Sequence, residues 1–239
     1  MISPHSDDET IGCGALINVI SKNNYLKFLL LTNEKNQKKS SIRQKEYLNA
    51  VNTLARKSVK PDILGLPDGE LYLNKEKLNS KVSSIVTRNE IEILFVTSVF
   101  DFHPDHRAAA FAALDLLKVG KVNEVFMYFT NHPVNFSLVN YFIHFNDGLF
   151  LLKKQALSNF KSQNNLNFNG LIDISKLQSK ALGFQDGGVE LFIKIDRNSV
   201  DKFLTSLEYL KPQFSVYDYK KSVIHPFYGI KNILFWDGK

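Results

Sequence analysis

The sequence predicts an α/β fold in which helices cover both faces of a mostly parallel central sheet. Short runs of apolar residues have the continuous hydrophobicity of strands that are buried on both faces. Segments with helical periodicity or strong helix propensity lie between these runs, and the connections are short. Strands that alternate with helices in this way are typical of parallel sheets, in which ligands bind beyond the carboxyl ends of the strands.

The first predicted elements are a strand, a helix and a second strand. Residues 25–32 (YLKFLLLT) form an apolar run, and residues 40–56 carry an apolar stripe near the helical period. Residues 62–66 read as a short strand that ends in the turn sequence Pro67-Asp68-Gly69. This turn is predicted because proline fixes φ and glycine accepts a positive φ.

The next elements continue the alternation. Residues 78–88 are predicted to be helical, and residues 91–99 (IEILFVTSV) are the clearest buried strand of the chain. Residues 106–117 (HRAAAFAALDLL) have strong helix propensity, and residues 122–130 form a further strand. The pattern predicts a Rossmann-like three-layer sandwich.

The pattern becomes less regular after residue 130. Residues 131–163 show no clear period, and beyond them a strand is predicted over 189–195 and a helix over 199–210. Since no internal repeat or linker appears, we expect one domain, with residues 1–130 as the regular α/β core. Residues 131–239 are the less regular C-terminal part, which we expect to shape the ligand site.

Composition and charge exclude several functions. The net charge is +6, but the lysines are scattered and no basic stripe interleaves with aromatic residues, so nucleic-acid binding is not expected. The positive net charge would serve solubility, and attraction of an anionic ligand remains the alternative interpretation. The single cysteine forms no internal disulfide, and no apolar run reaches the length of about 20 residues that spans a bilayer. These features predict a cytoplasmic protein without a membrane span.

Two clusters of histidines and carboxylates follow predicted strands. The first is Pro4-His5-Ser6-Asp7-Asp8-Glu9, and the second is His103-Pro104-Asp105-His106, which Asp101 precedes. Catalytic zinc takes about three nitrogen or oxygen ligands and keeps one position open. His5 and Asp8 lie three residues apart where a strand gives way to a helix, and His106 opens the helix after another strand. These three residues are therefore the candidate metal ligands.

The other residues of the clusters offer the remaining groups of a hydrolytic site. Asp7 lies beside Asp8 and is a candidate general base. His103, when protonated, would stabilise an oxyanion, and Asp105 would hold it in that state. As an alternative, acidic residues 7–9 only stabilise a helix N-terminus and the histidines belong to loops. The pairing of the two clusters at one sheet edge favours the metal site.

These clusters resemble the motifs of a known family, the LmbE-like or PIG-L-type zinc-dependent N-deacetylases. Residues 4–9 are similar to its P-H-P-D-D-E motif, with Ser6 in place of a proline, and residues 103–106 match its H-P-D-H motif. Weaker similarities lie at residues 12–14, at Arg43 with Glu46 and Ala50, and at residues 64–69. The good match covers residues 1 to 130. In the family a full apolar strand precedes the first motif, whereas here only Met1-Ile2-Ser3 does.

The resemblance implies one zinc ion per chain, or another divalent metal, held by His5, Asp8 and His106. It implies that Asp7 is the base, that His103 stabilises the oxyanion, and that Asp105 tunes His103. It places Arg43 and Asp68 near the substrate.

The expected substrate is a small N-acylated amino sugar or glycoconjugate, from which an N-acetyl group is removed. Two alternatives stay open: an amidase for another acyl-amine, and a non-catalytic carbohydrate- or metabolite-binding protein on the same fold. A nucleotide-binding protein is disfavoured, because no G-x-G-x-x-G sequence follows a strand. The sequence leaves open whether the chain forms a homo-oligomer.

Overall fold

The structure is a computed structural model that describes residues 1–130, 134, 136–163 and 166–208. The strands are β1 (Ile2–Ser3), β2 (Leu29–Asn33), β3 (Asp62–Pro67), β4 (Ile93–Thr97), β5 (Glu124–Tyr128), β6 (Tyr141–Phe145) and β7 (Gly188–Asp196). The helices are α1 (Asp8–Ile20), α2 (Gln37–Leu54), α3 (Lys75–Arg88), α4 (Pro104–Lys118), α5 (Asp147–Leu157), α6 (Phe168–Ala181) and α7 (Val200–Glu208). Within the described ranges, no helix is long and apolar enough to cross a membrane.

The strands form two sheets that meet where β1 packs beside β4. The first sheet has the order β1-β2-β3 and is parallel throughout. The second has the order β4-β5-β7-β6, in which β4 and β5 are parallel while β7 runs antiparallel to both β5 and β6. The predicted α/β class with mostly parallel strands is confirmed.

Alternate side chains of the strands enter two separate hydrophobic cores, because successive residues of a strand point to opposite faces. In β2, Leu29 and Leu31 pack in the core that includes α3, α4 and α7. Leu30 belongs to the other core, which α1, α2, α5 and α6 cover. The sheets are therefore covered by helices on both faces, as the continuous apolar strands predicted.

Three elements of the C-terminal part were not predicted. The segment without a clear period contains β6 and α5, and α6 follows it. Asn146 begins α5 by accepting a hydrogen bond from the Leu149 N–H, and Asn167 begins α6 in the same way with Gly170. Because asparagine is also common in loops, these caps were not distinguishable from loop residues in the sequence.

Helix α1 bends at Cys13, whose φ of −134° and ψ of 16° are not helical. The bend frees the N–H groups of Ala15 and Leu16, and both donate to the carboxylate of Glu190, at 2.8 and 2.9 Å. The Lys153 ammonium lies 2.6 Å from the same carboxylate, and all of these side chains are buried. A strand of the C-terminal part therefore fixes the helix whose first residues belong to the candidate site.

Candidate metal centre

The first cluster occupies the turn between β1 and α1. The carbonyl of Pro4 accepts hydrogen bonds from the N–H and the hydroxyl of Thr32, at 3.1 and 2.7 Å, so that β2 holds the end of β1. The His5 N–H donates to Asp8 Oδ2 at 2.8 Å, which closes the turn. Asp7 and Asp8 then stand at the start of α1, where the helix dipole favours negative charge.

The second cluster follows β4 and opens α4. His103 caps the helix, since its Nδ1 accepts a hydrogen bond from the Asp105 N–H at 3.2 Å. Pro104 takes the first helical position, where its missing N–H leaves no bond unmade. The His103 N–H donates to Asp101 Oδ1 at 2.8 Å, so the loop and the helix start are fixed together.

The structure brings His5, Asp8 and His106 together. His5 Nδ1 lies 3.0 Å from His106 Nε2 and 3.3 Å from Asp8 Oδ2, and His106 Nε2 lies 3.2 Å from Asp8 Oδ1. Zinc bonds of about 2.0–2.1 Å in a tetrahedron put neighbouring ligand atoms roughly 3.3 Å apart. The two imidazole nitrogens and the Asp8 carboxylate are therefore spaced as they would be around one such ion.

Each histidine also has a carboxylate at its other ring nitrogen. His106 Nδ1 lies 2.7 Å from Asp101 Oδ2, and His5 Nε2 lies 3.1 Å from Asp68 Oδ1. Histidines that bind metals commonly have such a partner, which fixes the tautomer and the ring orientation. The positions of Asp101 and Asp68 thus fit a metal site built on the opposite nitrogens.

His103 also approaches this group. Its ring centroid lies 4.5 Å from that of His5, and ligand atoms of His5, His103 and His106 all lie within 4.8 Å of one another. A second set of possible ligands, His5 with Asp68 and Asp105, meets the same limit. His5 therefore stands at the centre of the cluster, with one nitrogen toward each set.

Asp105 is completely buried, and its carboxylate contacts the turn after β3. Its Oδ2 accepts a hydrogen bond from the Gly69 N–H at 2.7 Å, and its Oδ1 accepts one from the Leu71 N–H at 3.0 Å. Its Oδ2 also lies 3.5 Å from His5 Nε2. The Pro67-Asp68-Gly69 turn predicted from the sequence thus binds Asp105 and carries Asp68 to His5.

Burial and neighbouring charges set the protonation of the site. Burial alone would lower the pKa of His106, but the carboxylates of Asp101 and Asp8 raise it to about 10. Burial and the nearby His5 and His106 lower the pKa of His103 to about 4, more than the charge of Asp105 raises it. This lowered pKa favours the neutral form of His103, whereas the oxyanion role expected from the sequence applied to its protonated form.

Asp7 differs from its neighbour Asp8 in both contacts and charge. Its Oδ2 is buried and has no hydrogen-bond partner within the described part of the chain. Burial and the charge of Asp8 raise the pKa of Asp7 to about 6, while the two histidines hold the pKa of Asp8 well below its usual range despite its burial. Asp8 is thus ionised between the two histidines, whereas the neighbouring Asp7 has a buried oxygen without a partner in the described part of the chain.

Arg43 lies at the rim of this site and pairs with Glu34. With Asp68 and His5, it lines a polar crevice of about 20 Å³, which is room for about one water. The sequence placed Arg43 and Asp68 near the substrate; the structure puts both beside His5. Of the two, Asp68 is the one in contact with the candidate ligands.

No role was predicted for Asp101, although it lies two residues before His103, beside the second cluster. Thr130, two residues after β5, donates its hydroxyl proton to Asp101 Oδ2 at 3.0 Å, and no sequence motif indicated this contact. His132 and His225 have no predicted site role and lie outside the described residues. His144, in β6, stacks on Phe184.

Comparison with solved structures shows the same fold in several enzymes. N,N'-diacetylchitobiose deacetylase from Pyrococcus horikoshii is 20% identical, with a TM-score of 0.69 and 83% of each chain covered. The zinc inhibited form of teicoplanin deacetylase Orf2 is 15% identical, with a TM-score of 0.65 over 82% of this chain and 97% of that one. The 4-carboxy-2-hydroxymuconate hydratase of Pseudomonas putida KT2440 is 15% identical, with a TM-score of 0.66 over 81% and 94%.

Comparison with sequences gives two results. No curated protein matches the chain. The model of the PIG-L family, described as GlcNAc-PI de-N-acetylase, matches residues 1–117, the segment that contains His5, Asp8 and His106. The resemblance found in the sequence is therefore confirmed over residues 1–117, where the chain matches the model of the PIG-L family.

Proposed function

We propose that the protein is a metal-dependent hydrolase that removes an N-acyl group, in the simplest case acetyl, from an amino sugar or its glycoconjugate. The observation that carries this proposal is the spacing of His5 Nδ1, Asp8 and His106 Nε2, at 3.0 to 3.3 Å from one another. The family match and the deacetylases among the similar structures support the same reaction.

The donor set fits zinc or a similar divalent ion. His5, Asp8 and His106 would hold it through two imidazole nitrogens and a carboxylate, which leaves room for a fourth ligand. Asp68 and Asp101 would orient the two imidazoles from behind. A bound divalent cation polarises a carbonyl group and lowers the pKa of water toward about 7.

In this mechanism, Asp7 moves the protons. Its Oδ2 is buried next to Asp8 and has no partner among the described residues, so it is open to accept a proton from the attacking water. The protonated Asp7 then protonates the leaving amine as the amide C–N bond breaks. The products are a carboxylic acid, which is acetate when the acyl group is acetyl, and a free amine.

His103 stabilises the oxyanion as a neutral donor. Since its Nδ1 accepts the Asp105 N–H, a neutral ring carries its proton on Nε2. A ring fixed by this cap donates a hydrogen bond without having to be charged. Asp105 supports His103 through the helix start and the turn after β3, which its carboxylate binds.

Metal analysis and product release test the proposal together. Wild type, His106→Ala and His144→Ala are purified, and their metal content is measured by mass spectrometry; acetate release from N-acetylglucosamine and its glycosides is then followed. We expect about one divalent ion per chain in wild type and in His144→Ala, with a strong loss in His106→Ala. Acetate release should follow the metal content.

Either of two results overturns the proposal. The first is wild type that binds no zinc, cobalt or manganese even when these are supplied. The second is metal-loaded wild type that binds N-acetylated amino sugars but releases no acid or amine from them or from other acyl-amines. That second result would favour a carbohydrate-binding protein on the same fold.

A further inference from the structure

A second cavity lies beside the candidate metal centre, at the same edge of the sheet. It measures about 410 Å³, and its wall includes Ile11, Thr130 and Leu191. Tyr128, the last residue of β5, pairs with Phe192, so Leu191 lies beyond the carboxyl end of β5. The cavity is thus on the edge where the parallel strands deliver the site residues.

Two of its wall residues connect the cavity to the metal centre. Ile11 lies one helical turn after Asp7, and its N–H donates to the Asp7 carbonyl at 2.9 Å, so the two residues share a face of α1. Thr130 donates to the Asp101 oxygen that lies 2.7 Å from His106 Nδ1. The wall of the cavity is therefore linked to Asp7 through one turn of α1 and to His106 through Asp101.

The wall of the cavity is largely apolar. Apolar side chains come from α1, from the segment after β5, and from α6 and β7, namely Ile11, Phe129, Leu171, Ile174, Val189 and Leu191. Ser175 also lines it, but its hydroxyl is engaged by the N–H and the carbonyl of Val189, at 3.1 and 2.7 Å. An apolar group of a ligand matches this wall better than a sugar ring does.

The charged residues of the wall are neutralised within the protein. Lys153 and Glu190 form a buried pair at 2.6 Å, and the remaining capacity of the Glu190 carboxylate is taken by the N–H groups of Ala15 and Leu16. No charge on this pair is left for a ligand to compensate, so the occupant is expected to be uncharged.

The volume of the cavity suits a longer acyl chain better than an acetyl group. A cavity of about 410 Å³ falls within the range of about 300–1,000 Å³ that accommodates small-molecule ligands, whereas the methyl of an acetyl group fills only a small part of it. The polar crevice on the other side of His5 is narrow and lined by Arg43 and Asp68. The two sides of the centre therefore differ in both size and polarity.

From these observations we propose that the cavity receives the acyl chain of the substrate, and that the preferred acyl group is longer than acetyl, with a chain of about six carbons or more. This inference rests on the proposed hydrolysis and specifies its substrate class as N-acylated amino sugars with an aliphatic acyl chain. Binding of the chain in the cavity places the amide carbonyl at His5, Asp8 and His106.

The test compares N-acetylglucosamine with N-hexanoylglucosamine. Each buried methylene strengthens transition-state binding about fourfold, so even partial burial of four methylenes should raise kcat/KM about tenfold or more for the hexanoyl substrate. Ile174→Trp places a large ring in the wall of the cavity, at a position that is already half exposed and tolerates a larger side chain. It should remove most of this preference.

Leu177→Trp is the matched control, because Leu177 lies on the same helix, is 66% exposed and does not line the cavity. It should keep the preference of wild type. A wild type that cleaves the acetyl substrate as well as the hexanoyl one, or an Ile174→Trp variant that keeps the preference, overturns the inference.

Binding to Asp7→Asn, measured by calorimetry with both sugars, separates the two proposals. If the hexanoyl sugar binds about tenfold more tightly but wild type cleaves neither sugar, the cavity assignment stands and the hydrolytic function fails. If wild type releases acetate but chain length changes neither the rate nor the affinity, the cavity assignment fails alone.

Discussion

Asp101 is predicted to control metal affinity through His106. Its Oδ2 lies 2.7 Å from His106 Nδ1, and the two side chains are only 3% and 4% exposed, so water screens their interaction poorly. Asp101→Asn keeps the size of the side chain but removes its negative charge. The imidazole then loses the group that holds its proton on Nδ1 and leaves Nε2 free for a metal.

The expected loss follows from this arrangement. Removing a carboxylate behind a metal-binding histidine weakens metal affinity about 10- to 100-fold, or roughly 1.4 to 2.7 kcal/mol. We expect the upper half of this range, because the same carboxylate also accepts hydrogen bonds from the His103 N–H and the Thr130 hydroxyl. His106→Ala, which removes a ligand itself, should lose more.

Competition with a chromophoric chelator measures this effect directly. Zinc is titrated into mixtures of the chelator with wild type, Asp101→Asn or Asp115→Asn, and the dissociation constants are compared at fixed pH and salt concentration. Asp115→Asn is the matched control, because Asp115 lies on the same helix, near its other end, and contacts Asn79. Its zinc affinity should stay within about twofold of wild type.

Two results would refute the reasoning. An unchanged dissociation constant in Asp101→Asn would mean that His106 Nδ1 needs no carboxylate partner. An equal loss in Asp115→Asn would mean that α4 as a whole, rather than the Asp101–His106 contact, determines the affinity. A circular dichroism spectrum and a melting curve of each variant identify any loss that comes from unfolding.

Three further predictions concern other parts of the molecule. Asp7→Asn should keep its metal but lose about 10²- to 10⁴-fold in kcat, which is the usual contribution of a general base. Metal analysis and product release measure the two quantities, and full activity would exclude Asp7 from proton transfer. Glu190→Leu leaves a buried ammonium without its partner and should cost about 3–5 kcal/mol in urea unfolding, and a second change, Lys153→Met, should recover much of this loss. A double variant no more stable than Glu190→Leu would contradict this explanation. Gly12→Ala should destabilise the protein by about 1–3 kcal/mol, because its Cβ would lie 2.2 Å from a tyrosine ring of β5, whereas Gly148→Ala, whose nearest contact is 3.3 Å, should change stability little; equal melting temperatures would show that the ring moves away freely.

Most of the regular α/β part was predictable from the sequence. The strand predicted over 91–99 is present as β4, and the helix predicted over 106–117 is present as α4, with differences of a few residues at the ends. The strands could be predicted because a strand that is covered on both faces must be apolar at nearly every position. The elements β6, α5 and α6 were not predicted, since their exposed faces and asparagine caps resemble loops when only local pattern is considered.

The residues that meet at the site could be predicted from residue type and chain connectivity. His5, Asp8 and His106 follow or flank strands that run in the same direction, and the carboxyl ends of parallel strands share one edge of a sheet. Connectivity thus brings residues that are distant in the chain to one place. The histidines and carboxylates led us to predict a metal site, because such groups are costly to bury together without an ion that they bind.

The contacts that each of these residues makes could not be predicted, because they depend on tertiary packing. Which nitrogen of His5 faces Asp8 and which faces Asp68 depends on a turn more than sixty residues away, and so does the fact that Asp105 binds that turn. The apolar cavity beside the centre likewise depends on α6 and β7, whose positions no local pattern encodes. Side-chain contacts, burial and cavity shape arise from packing between distant segments. For that reason, local sequence patterns do not predict them.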